Sequence, residues 1–269
     1  MGDRIQFNNP PVVEVVCGVQ FNELNKLYAP HLGLYWEQIR KEFPKIDEVA
    51  PIDPKIEGFG PTQTMAFGFA DRPPLPRTWF ISGNELNLIQ VQRDRFLYNW
   101  KRDHDDDVKY PSYDKVIVEF ENQLDVFCNF VMAEDIGKLD FHQYELTYIN
   151  VIAAKEGSLS EAIDKGVLTD FVRERDRDRF LPEPETSQWR ASFRMPEDQG
   201  RLHIVAQPAR KTGVDLDFIR LEITARGIPK DNNRANLRNW FDLAHKWITH
   251  GFVDITSSEI QKDVWRKTS

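Results

Sequence analysis

Period-2 patterning of apolar residues runs through two separate stretches of this chain and points both to β-strands. Trp189, Ala191, Phe193 and Met195 alternate with Arg190, Ser192 and Arg194. Leu202, Ile204 and Ala206 alternate with His203, Val205 and Gln207. Ile219, Leu221, Ile223 and Ala225 alternate with Arg220, Glu222, Thr224 and Arg226. Successive side chains of a strand point to opposite faces, so each set shares one face of a sheet. Residues 196–200 read as a turn, and Gly227 and Pro229 end the segment. An earlier stretch, 78–101, follows the same rule. Strands at 78–82, 86–92 and 95–101, joined at Gly83-Asn84 and Arg93-Asp94, predict a three-stranded antiparallel meander. Phe96, Tyr98 and Trp100 share one of its faces. Gln90, Gln92 and Asp94 are read on one face with Leu88 and Phe96.

The period changes to 3.6 after each meander. Val116, Phe120, Leu124, Phe127 and Val131 recur at steps of three and four, predicting a long helix from Pro111-Ser112 to about Glu134, ended by Gly137. Leu237, Trp240, Phe241, Ala244, Trp247 and Ile248 form a similar stripe, which Gly251 is expected to interrupt. Thr256 to Glu259 reads as a capping box flanked by Ile255 and Ile260, opening a last short helix. Val12–Phe21 is a strand, and 31–43 is a helix stopped by Pro44. Seven prolines between 44 and 77 predict a long surface connection with at most one strand, near 64–69, and local polyproline II at 73–76. Residues 143–153 read as a strand, 158–161 as a capping box, and the charge-dense run 169–180 as solvated surface.

The fold class is therefore α+β, with antiparallel meanders each followed by long amphipathic helices. Residues 1–138 and 139–269 repeat one pattern of strand, helix, meander, long helix. They are two α+β halves or one fused domain. A duplicated unit would join its sheets edge to edge, with helices on one side.

In 269 residues, 41% hydrophobic and 12% aromatic content supports a substantial core. The formal net charge of −8 opposes general affinity for nucleic acid or anionic lipid, yet leaves room for a local basic groove. No apolar run approaches the ~20 residues needed to cross a bilayer. The first residues carry no signal-peptide pattern, so a soluble cytoplasmic protein is expected, with no membrane partner. Cys17 and Cys128, both in apolar runs, are expected to be free, buried thiols.

Candidate chemistry is sparse. Asp103-His-Asp-Asp-Asp107 holds metal-ligand residue types, but consecutive loop residues point apart, and no bound ion is expected there. His31, His142, His203, His245 and His250 are scattered. No nucleophile elbow, phosphate loop, dinucleotide fingerprint or zinc-protease motif occurs, which weighs against an enzyme and implies no cofactor. The second meander holds the one notable grouping. Arg190, Arg194, His203, Arg220, Glu222 and Arg226 lie in its non-core phase. Two readings stand: a surface for phosphate or carboxylate, or a solvent-facing sheet with cross-strand ion pairs.

Residues 10–21, 77–82, 88–100 and 144–150, and the ending 244–252 with Asp254-Ile-Thr256, resemble a sporadically distributed family of uncharacterised bacterial proteins of similar length. The resemblance spans nearly the whole chain and brings no established activity or catalytic residue with it. Sporadic distribution implies horizontally moved genes, such as defence or toxin–antitoxin cassettes. The function expected is that of a non-enzymatic interaction protein binding a protein partner through its sheet face or aromatic-rich surfaces. The alternative is a nucleic-acid or nucleotide binder, nuclease-like in one form, using the arginine-bearing sheet. Homo-oligomers fit either.

Overall fold

A computed structural model of the chain describes residues 5–54, 56–58, 75–102, 107–153, 167–170, 187–210, 217–229 and 233–268. Strands β1 (Val12–Phe21), β2 (Lys45–Val49), β3 (Arg77–Ile81), β4 (Asn87–Gln92), β5 (Arg95–Lys101), β6 (Phe141–Ala153), β7 (Trp189–Arg194), β8 (Arg201–Arg210) and β9 (Asp217–Gly227) form one sheet. Its order is β2-β3-β4-β5-β1-β6-β9-β8-β7, and every neighbouring pair is antiparallel. The protein is thus a mixed α+β molecule built on a large antiparallel sheet. In the centre β1 pairs with β6 through Cys17↔Leu146 and Val19↔Tyr144.

Helices α1 (Ala29–Ile39), α2 (Tyr113–Ala133), α3 (Arg234–Ile255) and α4 (Ser258–Asp263) complete the described elements. The three longer helices lie on one face of the sheet, and strand alternation aims rings at them. Phe96 stacks on Phe127 of α2 at 5.1 Å, and Tyr35 of α1 meets Phe80 and Phe127 at 5.5 and 5.4 Å. Phe120 meets Phe241 of α3 at 5.1 Å, which ties the two long helices together. Burying rings of this size contributes about 1.5–3 kcal/mol each, so this layer supplies most of the driving force. No helix among the described residues is long and apolar enough to cross a membrane.

Two glycines mark close approaches rather than breaks. At Gly227 an added Cβ would sit 2.1 Å from Trp240 Nε1 and 2.2 Å from Gln199 O, so the indole can reach that carbonyl at 2.9 Å. At Gly251 a Cβ would fall 2.9 Å from a Leu202 methyl. The expected interruption there is absent: α3 runs through to Ile255, and the missing side chain lets helix and β8 approach.

Other expectations change as well. The 44–77 connection begins with β2, an edge strand whose Ile46 is exposed. Helix α1 stops at Ile39, before Pro44. Phe96 lies on the helix side, opposite Leu88, Gln90 and Gln92, because the Arg93-Asp94 turn intervenes and the register pairs Phe96 with Val91. Ser257, not Thr256, caps α4, accepting from Ile260 N, while Thr256 Oγ1 donates to Phe252 O. Both cysteines are free; Cys17 is buried, and desolvation pushes its thiol up, while Cys128 is half-buried. The strand at 64–69, the 158–161 capping box, most of the 169–180 run and residues 103–106 lie outside the described residues.

Candidate functional site

No helix among the described residues covers the opposite face of the sheet. There the β7–β9 end presents the phase that carries charge. The register sets His203 opposite Thr224, Val205 opposite Glu222, Gln207 opposite Arg220 and Arg201 opposite Arg226 on β8 and β9. Arg190, Ser192 and Arg194 of β7 lie opposite Val205, His203 and Arg201. A cavity of about 250 Å³ opens between them, lined by Arg190, His203, Arg220, Glu222, Arg226 and their neighbours Gln188, Gln207 and Thr224. Five of the six residues singled out from sequence thus meet around one concavity. Arg194 does not line it; its guanidinium is turned to Asp198 at 2.5 Å.

Several of these charges are answered by carboxylates. Arg220 Nη1 donates to Glu222 Oε2 at 2.6 Å along the same strand. Arg226 Nε donates to Glu145 on β6, directly across the ladder. Glu222 also accepts from Thr224 at 3.4 Å, and Thr224 shares a 2.9 Å hydroxyl contact with Thr147. Arg190, exposed on the outermost strand, makes no ion pair among the described residues.

Beside the cavity the chain supplies a carboxylate of its own. The connection after β2 crosses the helix-free face. Ile52 N donates to Gln92 Oε1 at 2.9 Å and Ile52 O accepts from Gln92 Nε2 at 3.0 Å. Further along, Glu57 N donates to Gln143 Oε1 at 2.7 Å. The Glu57 side chain, only 8% exposed, accepts from Arg201 Nη1 at 2.7 Å and bonds His203 Nε2. Ser192 Oγ lies 2.9 Å from His203 Nδ1 and holds that ring from behind. Burial alone would raise the Glu57 carboxyl. The hydrogen bonds and charges of His203 and Arg201 outweigh it and hold the group below the usual carboxylate range.

Glu57, Glu145 and Arg201 escape the sequence reading. Arg201 shares the phase of His203 and was available to a period-2 argument; Glu57, 146 positions from His203, carries no local signal. No cluster of three or more metal-ligating side chains occurs among the described residues. Comparison of the chain with protein-family models, curated proteins and solved structures gives no match.

Proposed function

We propose that the chain is a non-enzymatic binding protein that takes an acidic segment of a protein partner onto the β7–β9 end of its helix-free face. One observation carries this reading: three arginines line a single cavity at the sheet margin against two carboxylates, Glu222 and Glu145, and Arg190 is paired with neither, in a chain of net charge −8. Guanidinium groups pair bidentately with carboxylates, and convergent cations are costly unless an anion answers them. Glu57 supports the same reading, because the adjoining Arg201 and His203 already hold a carboxylate brought from a distant part of the chain. The outer edge of β7 and its 40% exposed Phe193 offer main-chain and apolar contacts to an added strand. Phosphate would suit the same guanidiniums, but the overall negative charge opposes approach of a nucleic acid.

The strand order supports a companion reading, that the chain is a duplicated unit. β5-β4-β3 follow β1 outward as β9-β8-β7 follow β6, with α2 and α3 after the two meanders. Membership of the bacterial family that the sequence resembles, and work in a reducing cytoplasm, belong to the same proposal.

The test is fluorescence anisotropy of a labelled oligoglutamate peptide and of a labelled single-stranded oligonucleotide against the full chain. Peptide binding that weakens by about 1–3 kcal/mol in Arg190→Ala with Arg220→Ala, at unchanged melting temperature, is expected. Binding of the oligonucleotide alone would replace the protein partner with a nucleic acid. Binding of neither, or binding indifferent to both substitutions, would reduce the arginines to cross-strand pairing.

A further inference from the structure

The helix-covered side holds a second, larger cavity, of about 370 Å³, lined by residues 5–12, by Tyr148, Asn150 and Ile223 of the sheet, by α3 and by the start of α2. Its walls are mainly rings and aliphatic chains. Tyr113 stacks on His245 with centroids 4.0 Å apart and planes 12° from parallel. The Tyr110 and Tyr148 hydroxyls lie 2.9 Å apart, and Ile248 and Phe252 of α3 close the far side. The rim is built rather than incidental. Arg102 donates to Val12 O, Val108 O and Pro10 O at 3.1, 2.8 and 3.3 Å, tying the 10–12 wall segment to the chain just before Lys109. Ser112, also on the wall, holds φ 103° and ψ 155°, a conformation nearly reserved for glycine, and such outliers gather at ligand sites.

Asn150 lines this cavity and is only 4% exposed. Its amide nitrogen donates once, to Leu221 O at 3.3 Å. Its Oδ1 accepts no hydrogen bond among the described residues. A buried amide with an acceptor and a second N–H to spare is costly unless something answers it.

The geometry points to a binding site for a purine-sized heteroaromatic molecule, a free base or nucleoside. Such a ligand stacks against the ring walls and sets a donor–acceptor edge on the Asn150 amide. The volume falls at the small end of ligand cavities, roughly 300–1,000 Å³, and so favours a nucleoside over a larger cofactor. Arg102, Lys109 and Asp114 leave the lining one net positive charge, but the Arg102 guanidinium is taken up by three backbone carbonyls, so ring shape and edge select the ligand more than its charge does.

Isothermal titration of the full chain with adenosine, guanosine and cytidine tests this. Saturable one-site binding of adenosine or guanosine is expected, with cytidine weaker. Thr249→Phe, which fills the cavity from the partly exposed flank of α3, and Asn150→Ala should each weaken it roughly ten-fold or more while cooperative melting persists. Should a substituted chain fail to fold, intermolecular nuclear Overhauser contacts from the base protons to the Ile248 methyls in the unsubstituted protein locate the ligand directly. No saturable binding of either purine nucleoside, undiminished binding by folded Thr249→Phe, or contacts that avoid Ile248 would overturn the proposal.

Discussion

The helix-free face is polar at both ends, but the two ends settle their polarity in different ways. Across β3, β4, β5 and β1 a single relay links a cation to an anion. Arg77 Nη1 donates to Gln90 Oε1 at 2.8 Å, Gln90 Nε2 to Asn99 Oδ1 at 2.8 Å, and Asn99 Nδ2 to Glu14 Oε1 at 2.6 Å. Gln90 and Asn99 are 5% and 2% exposed, and each both gives and takes a bond. Across β7–β9 the side chains are arginines flanking an open cavity, with Arg220 still 31% exposed. Polarity on a sheet face is therefore not itself a sign of a site. A relay running from a cation through two amides to an anion cross-links strands and specifies the fold, even with Arg77 Nε left unbonded. Cations in excess over the carboxylates around them leave capacity for a ligand.

Substitutions can break or sharpen this contrast. The largest loss should come from the apolar layer beneath both ends. Phe127→Ala should lower unfolding free energy by about 3–5 kcal/mol in urea denaturation while peptide binding per folded molecule stays unchanged. Next comes the relay. Gln90→Ala strips the partner from Arg77 and from Asn99 Oδ1 and should cost about 1–3 kcal/mol of stability, again with binding intact. A binding defect there would erase the difference between the ends.

Glu57 sits between the two cases, as an internal ligand. Its carboxyl is held below the range it has in the unfolded chain, so its contribution is complete above that range and is lost as pH falls through the folded value. Unfolding free energy measured across the acid range should therefore decline, and Glu57→Gln should flatten that part of the curve at a cost of about 1–2 kcal/mol near neutrality. A curve identical in the two proteins would remove Glu57 from the account. The smallest effect belongs to Arg194→Ala. Its pair with Asp198 is exposed, so stability should shift by less than about 0.5 kcal/mol and binding should not change.

Much of this architecture is written in local pattern. Alternation located β1 and β5 to the residue and β7, β8 and β9 within a few positions, and the three-four spacing of Val116 to Val131 located α2. The same alternation told which arginines share a face, since phase needs no tertiary information. Edge strand β2 was missed because Lys45-Ile-Asp-Glu-Val half-buries only Val49, and its two apolar residues stand three apart, without period-2 alternation. Gly251 read as a break because a missing side chain looks the same in sequence whether it ends a helix or admits a neighbouring strand. Glu57 could not be found because its partners, Arg201 and His203, are 144 and 146 positions away. Asn150 sits in an apolar strand run and reads as core until the cavity beside it is seen.

The central claim is that the open end of the helix-free face is the binding surface. Hydrogen–deuterium exchange of the full chain with and without the oligoglutamate peptide tests it most directly. Slower exchange confined to peptides covering 188–194, 201–207 and 218–226 is the predicted result. Protection that instead falls on β2 and β3, or on α2 and α3, with the β7–β9 strands unchanged, would contradict it.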